Sequence, residues 1–281
     1  MNSENKNIQE FYKMNGAGNT FLFHDSRNNT INMNQNLVLN LGSYFKEYSF
    51  DQFIQLMKPK RNGDGHIKFW NADGTESGMC GNALRCVGHI ILEETKKEKI
   101  ILETIDKDIE CWRNDNEISV NIGKPKFDWS EIPLSRKVDD TLSINLDPSP
   151  IELPNFTAIN VGNPHAVFFF NKNRPELEEV GSIIENHEIF AEKVNVSFAK
   201  ISHENHIQVN VWERGTGITK ACGSAACAIA VAAHKLNLAG RKVLVSFSGG
   251  DLKIVWKEDN DIVMTGPYEI EEAVEINLME L

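Results

Sequence analysis

The chain repeats itself at about half its length. Trp70 stands ten residues before Cys80 and Trp212 ten residues before Cys222, so the two pairs are both 142 positions apart. Upstream, Gly18-Asn19 matches Gly162-Asn163 at an Asn offset of 144, and Gln52 falls opposite Asn195 at an offset of 143. Two coincident landmarks would carry little weight. Four, in one order and with like chemistry, point to two domains of one fold facing each other. A chain of 281 residues is long enough for each half to bury its own core. The expected halves are residues 1–125 and 126–265, with 266–281 packing back on the first.

Each half reads as mixed α and β. Phe21-Leu22-Phe23 and residues 166–170 look like short buried strands after a Gly-Asn turn. Residues 66–70 and 206–212 alternate apolar with polar, as half-buried strands do. Residues 82–94 and 224–236 are rich in Ala, Leu and Ile, contain no Pro, and are predicted helices. Gly240, Gly249-Gly250 and Asp259-Asn260-Asp261 punctuate a run of C-terminal strands. The Pro-bearing stretch 123–154 has few periodic positions and is the expected passage between the domains.

Charge and composition narrow the function. Lys plus Arg number 29 against 40 Asp plus Glu, a net charge of −11, which argues against nucleic acid or an anionic membrane as the main partner. No apolar run is long enough to span a bilayer, and the first residues lack the apolar core of a secretory leader. Five cysteines without a dense framework suit free thiols in a reducing cytoplasm.

Cys80 and Cys222 each precede a predicted helix. A helix start has unpaired N–H groups and a partial positive charge, which lowers the pKa of an adjacent thiol and can bind a carboxylate. Gly81 and Gly223 leave the backbone open to a ligand. Two such starts would grip one carboxylate and present a sulfur to each face of the adjacent carbon. That geometry suits stereoinversion: one thiolate removes the α-proton and the opposite thiol returns a proton to the other face. A single cysteine is usually a small buried hydrophobe, which is the reading for Cys86, Cys111 and Cys227. The matched context of Cys80 and Cys222 sets them apart.

Asn19, Gln52, Asn71, Asn163 and Asn195 are amides in strand ends or turns at repeat positions and fit a bound amino acid. Glu213-Arg214 reads either as a surface ion pair or as a holder of an ammonium and a second carboxylate. His165 either tunes a nearby thiol or is a hydrogen-bonded core histidine. His203-Glu204-Asn205-His206 reads as a solvated turn and not a metal site, and Gly16-Ala17-Gly18 lacks the continuation of a dinucleotide fingerprint.

Together these residues resemble the diaminopimelate epimerase family. The strongest parts are residues 71–76 with Cys80-Gly81-Asn82, then Gly162-Asn163-Pro164-His165, then residues 213–217 with Ala221-Cys222-Gly223-Ser224. Gly249-Gly250 and residues 264–267 add to the match, which covers nearly the whole chain. The resemblance implies two pseudo-symmetric α/β (α+β) domains, each a barrel-like, mostly antiparallel sheet around a central helix, with the site in the cleft between them. It implies cofactor-independent, metal-free epimerisation of LL-2,6-diaminoheptanedioate to the meso form, on the route to lysine and peptidoglycan precursors. Cys80 and Cys222 would be the acid/base pair, tuned by His165 and Glu213. Asn19, Gln52, Asn71, Asn163, Asn195, Glu213 and Arg214 would hold the substrate, and the backbones of Gly81-Asn82 and Gly223-Ser224 its reacting carboxylate. The resemblance further implies a cytoplasmic homodimer.

The chain departs from the family at several points. It has Asn15 and Thr20 where the family usually has His and Asp, and Lys46-Glu47-Tyr48-Ser49 in a loop that usually contains Gly-Ile-Gly and helps close the site. Ala83-Leu84 replaces a usual Gly-Ala. Other readings are a racemase for another amino acid on the same fold, a non-catalytic amino-acid receptor, or a redox-sensing thiol protein. Retention of Glu213 and Arg214 argues against the first, and a receptor has no use for two opposed thiols.

Overall fold

The computed structural model describes residues 7–149, 151–172 and 174–281, with Glu272 described by its backbone alone. The chain divides into two compact units, Met1–Val120 with Gly266–Leu281, and Asn121–Thr265.

The first unit runs β1 (Ile8–Gly16), β2 (Asn19–Asp25), α1 (Gln35–Tyr44), β3 (Gln52–Met57), β4 (Gly65–Asn71), β5 (Glu76–Ser77), α2 (Gly81–Thr95), β6 (Lys99–Glu103), β7 (Asp108–Asn114) and β8 (Glu117–Gly123). The second runs β9 (Phe156–Asn160), β10 (Pro164–Phe169), α3 (Leu177–Glu185), β11 (Asn195–His203), β12 (His206–Glu213), β13 (Gly217–Thr219), α4 (Gly223–Lys235), β14 (Lys242–Phe247), β15 (Gly250–Trp256) and β16 (Ile262–Gly266). A last strand, β17 (Glu269–Asn277), returns to the first unit and pairs antiparallel with β1.

Both units follow the same pairing series. In the first, β1–β2 and β3–β4 are antiparallel, β2–β3 is parallel, β4 pairs antiparallel with the short β5 and parallel with β6, and β6–β7–β8 is an antiparallel meander. In the second, β9–β10 and β11–β12 are antiparallel, β10–β11 is parallel, β12 pairs antiparallel with β13 and parallel with β14, and β14–β15–β16 is a meander. The parallel steps are the ones bridged by helices, as parallel pairing requires a crossover.

In each unit the helix after the cysteine lies against strands from well-separated places in the sheet. Helix α4 touches β9, β10, β11, β14 and β15, and α2 touches β1, β6 and β7, so each sheet curls around its helix. Small side chains make this possible for α4, in which every residue from Ala225 to Ala233 is buried. The other helix of each unit packs on a separate core. Val38 and Leu41 of α1 join Phe11, Leu22, Phe53 and Trp70; Leu177, Val180 and Ile184 of α3 join Phe156, Phe168 and Phe198.

The helices α1 and α3 are not apparent from the sequence. Both are short, each has a glycine in its span (Gly42, Gly181), and Asn34 rather than a Ser or Thr caps α1 by accepting the Leu37 N–H at 3.0 Å. The expected passage 123–154 is also corrected. Most of it belongs to the second unit's core, where Ile132, Leu134, Ile144 and Leu146 are buried. Its attachment is by isolated bridges, Lys126 to Asn160, Leu134 to Phe190 and Ile144 to Phe156. Single-residue bridges impose no hydrophobic period, so a buried segment of this kind reads as a linker.

Leu134→Ala is therefore expected to cost about 2–5 kcal/mol, measured by urea unfolding. A loss of only a few tenths would return the segment to a linker's role.

Candidate active site

Cys80 and Cys222 occupy the cap positions of α2 and α4 with nearly the same backbone, φ −135° and ψ 109° against φ −139° and ψ 114°. The Cys80 carbonyl accepts the Leu84 N–H and the Cys222 carbonyl the Ala226 N–H, both at 3.0 Å. Among the described residues no side-chain cap bond closes either start. The first turns, Gly81-Asn82-Ala83 and Gly223-Ser224-Ala225, carry no acidic side chain. Each start thus keeps the amide donors and positive dipole end that suit a carboxylate.

The expectation that a helix start lowers the thiol's pKa fails at Cys222. This thiol is buried, and burial pushes its pKa well above the ordinary value; the Glu213 carboxylate, to which the thiol hydrogen-bonds, pushes it further. Ser224, whose Oγ lies 3.4 Å from Cys222 Sγ, and the Ala225 amide pull the other way and do not prevail. A helix start contributes at most about 2 kcal/mol, whereas taking a full charge out of water costs several. Cys222 is therefore a protonated thiol beside a carboxylate. Glu213 is steadied by the Thr219 hydroxyl, which donates to Oε1 at 2.5 Å. Cys80 is half-buried, while Cys86, Cys111 and Cys227 are fully buried, with burial pushing the Cys86 thiol up to about 12.

In the first unit the amides form two connected groups. Asn82 Nδ2 donates to Asn19 Oδ1 at 2.5 Å, and Asn82 Oδ1 accepts from the buried Arg85 at 2.7 Å. The fit is close, since a Cβ on Gly16 would lie 2.8 Å from the Asn82 carbonyl oxygen. The β1–β2 connection is a two-residue hairpin with Ala17 and Gly18 at φ 56° and 94°, so Gly16-Ala17-Gly18 serves as a turn. Asp51 Oδ2 takes the Thr20 N–H at 2.8 Å and Asn19 Nδ2 at 3.4 Å. The second group is Gln52 Nε2 donating to Asn71 Oδ1, with Asn71 Nδ2 donating to Thr75 Oγ1, both at 3.0 Å. Gln52 and Asn71 are direct partners across β3 and β4. In the divergent loop, the Tyr48 hydroxyl donates to the Met14 carbonyl at 3.2 Å and Lys13 Nζ sits 4.5 Å from the Tyr48 ring centroid.

In the second unit Asn195 is committed on both sides. Its Nδ2 donates to the Pro164 carbonyl at 2.9 Å and its Oδ1 accepts the Arg214 N–H at 3.0 Å. Arg214 is exposed, and its Nη1 donates to the Glu192 carbonyl at 2.9 Å. His165 lies opposite Asn195 across β10 and β11 and is fully buried. Its Nε2 is 2.8 Å from Asn163 Oδ1, and its Nδ1 has no hydrogen-bond partner among the described residues. Burial, then the charge of Arg214, pulls its pKa down to about 3. His165 is thus a neutral imidazole whose Nε2–H donates to the Asn163 amide oxygen. Asp51, Glu185, Glu192 and Thr219 have no role in the sequence reading, because a residue that holds another in place leaves no spacing signal. Among the described residues no group of three His, Cys, Asp or Glu could hold a metal ion, and no helix is long and apolar enough to cross a membrane.

The depressed His165 pKa has a consequence for stability. Below the unfolded value of about 6.5 the unfolded chain takes up a proton that the folded chain refuses, so stability falls as pH drops from there toward 3. Denaturation at pH 7.0, 6.0 and 5.0 should show this loss, and His165→Gln should flatten it. An equal slope in both proteins would mean that His165 titrates normally.

The family model for diaminopimelate epimerase matches the chain twice, over residues 11–127 and 157–271. A curated diaminopimelate epimerase of Brucella anthropi is 39% identical, over 93% of this chain and 89% of its own length. One of Brucella canis is 40% identical over 93% and 88%. In the fold alone the chain is similar to a predicted epimerase from Pseudomonas aeruginosa, with a TM-score of 0.67, 12% identity and coverage of 95% of this chain and 99% of that one. A hydroxyproline epimerase from Agrobacterium vitis, with bound trans-4-hydroxy-L-proline, superposes with a TM-score of 0.65 at 13% identity, over 97% and 93%. This chain belongs to the diaminopimelate epimerase family.

Proposed function

We propose that the protein epimerises LL-2,6-diaminoheptanedioate to the meso form, without a cofactor, in the biosynthesis of lysine and peptidoglycan precursors. The observation that carries this is the matched pair of cysteines capping two buried helices with the same backbone at repeat positions. The substrate's reacting carboxylate binds the first-turn amides of Gly81-Asn82 and Gly223-Ser224. The Asn82 contribution comes from its backbone, since its side chain is engaged by Asn19 and Arg85. Cys80 and Cys222 serve opposite faces of the α-carbon. In one direction, one sulfur as thiolate takes the α-proton while the other thiol delivers its own; in reverse the roles exchange. The amides stabilise the negative charge that builds on the carboxylate as the C–H bond breaks.

Two features of Cys222 support these roles. Its raised pKa makes it a proton donor in the resting protein, and the adjacent Glu213 carboxylate is an acceptor to which it can pass the proton when it must act as a base. The neutral His165 contributes a fixed dipole beside Asn163 and no titrating charge near pH 7. Asn19, Gln52, Asn71, Asn163 and Glu213 orient the polar groups of the amino acid, Asn195 acts by holding the Arg214 backbone, and Arg214, exposed and carrying its own charge, takes the distal carboxylate. We further propose a cytoplasmic homodimer, on the family resemblance. Light scattering should give twice the 31.7 kDa of one chain, and a single-chain mass at micromolar concentration would remove the dimer.

Incubation with the LL isomer in deuterated water should give meso product carrying one deuterium at the inverted carbon. Cys80→Ser and Cys222→Ser should each lower turnover by about 10²–10⁴-fold while keeping native circular dichroism, because a serine hydroxyl is too weakly acidic to exchange protons near neutral pH. Near-normal epimerisation by either variant would end the two-thiol mechanism.

A further inference from the structure

We infer that Glu185, the last residue of α3, is a positioning residue that staples the turn carrying Glu213 and Arg214. Its chemical consequence rests on the function proposed above; its physical effect on Cys222 does not.

Glu185 is buried, 4% exposed, and a carboxylate so placed needs partners for both oxygens. Oε2 accepts the Trp212 indole N–H at 2.7 Å, and Oε1 accepts the Gly215 backbone N–H at 3.0 Å. Lys193 Nζ, 3.6 Å from Oε1, offsets the charge. Trp212 and Gly215 flank Glu213 and Arg214, so one carboxylate spans the two residues between its partners. One helical turn earlier, Gly181 lets α3 lie directly on the indole; a Cβ there would be 2.5 Å from Trp212 Cδ2. Gly215 and Gly217 hold φ of 77° and 96°, so the turn adopts left-handed backbone at two points. The turn is held from β11 as well, where Asn195 accepts the Arg214 N–H.

The first unit handles the corresponding turn differently. There Gln35, the first residue of α1, donates to the Asp73 carbonyl at 3.2 Å, and a Cβ on Gly74 would lie 2.5 Å from Gln35 Cγ. A helix inserted before the third strand of the series clasps the turn after the fourth in both units. Only in the second is the clasp a buried carboxylate, and only there does the turn begin with a carboxylate that touches a thiol. Among the described residues, the groups that act on that thiol include Glu213 from β12 and Ser224 and the Ala225 amide from α4. Glu185 touches none of the reacting atoms; it sets where Glu213 sits.

The test compares Glu185→Gln and Trp212→Phe with the wild type. A glutamine amide must face one N–H with its own NH₂, so at least one of the two bonds breaks, and Trp212→Phe removes the indole bond while keeping most of the ring. Alkylation of Cys222 by iodoacetamide is followed from pH 6 to 10, peptide by peptide in a mass spectrometer, with Cys80 as internal reference. The expected result is a shift of the Cys222 profile toward lower pH, by about one unit in Glu185→Gln, since Glu213 no longer holds the proton on sulfur. A smaller shift of the same sign is expected in Trp212→Phe, with the Cys80 profile unmoved in both. Epimerisation should fall at least about tenfold in kcat/KM for Glu185→Gln, mostly in kcat. An unshifted Cys222 profile in a folded variant, with only a lower unfolding midpoint, would overturn the inference and leave Glu185 structural. Should Glu185→Gln fail to fold, the Trp212→Phe profile decides alone. A wild type inactive on diaminopimelate would sink the proposed function while leaving the alkylation result to judge Glu185.

Discussion

The first turn of a buried helix supports everything else in each unit. Helices α2 and α4 are enclosed by their own sheets, so their backbone bonds are satisfied internally except at the ends. The cysteine before each start must leave helical conformation to act as cap, and the extended backbone it takes is the same in both units. Glycine follows it in both, which keeps the donors accessible. The curled sheet, the parallel crossovers and the small residues of α4 all serve to hold that terminus in place.

Burial outweighs the helix dipole where the two compete. Cys222 sits at a positive helix end and yet has a raised pKa, because the cost of burying a thiolate beside Glu213 exceeds what the first-turn amides return. The same force neutralises His165. The two halves differ here: Glu213 lies beside Cys222, while the position 142 residues earlier is Asn71, an amide bonded to Gln52 and Thr75. The repeat therefore keeps the cap but not every neighbour, and the thiols differ in burial, Cys80 being half-buried and Cys222 buried.

The amides divide by what they already hold. Asn195 and Asn82 spend their side chains inside their own units, on Pro164 and Arg214 and on Asn19 and Arg85. Each fixes a neighbour in its own unit. Thr20 and Asn15, where the family usually has other residues, are also engaged locally: Thr20 on Asp51 and Ser49, and Asn15 on the Gly18 amide. The altered loop is anchored through Tyr48 to Met14. These substitutions are absorbed by the β1–β2 hairpin and its neighbours.

The spacing of Trp, Cys and Gly-Asn pairs was enough to locate both caps, both central helices and the twofold repetition, because those features are local and occur twice. Helices α1 and α3 were not legible, since their stability comes from packing on a sheet and not from a strong local pattern. Residues 123–154 read as a linker because isolated bridges bury side chains without a period. The clasp of Glu185 on Trp212 and Gly215 joins residues far apart in the chain and gives no motif. Sequence alone determined which two thiols precede a helix start in matched positions. Only the folded chain decided their protonation, because the pKa of a thiol or an imidazole is set by the water it loses and the charges it meets, and both are properties of packing.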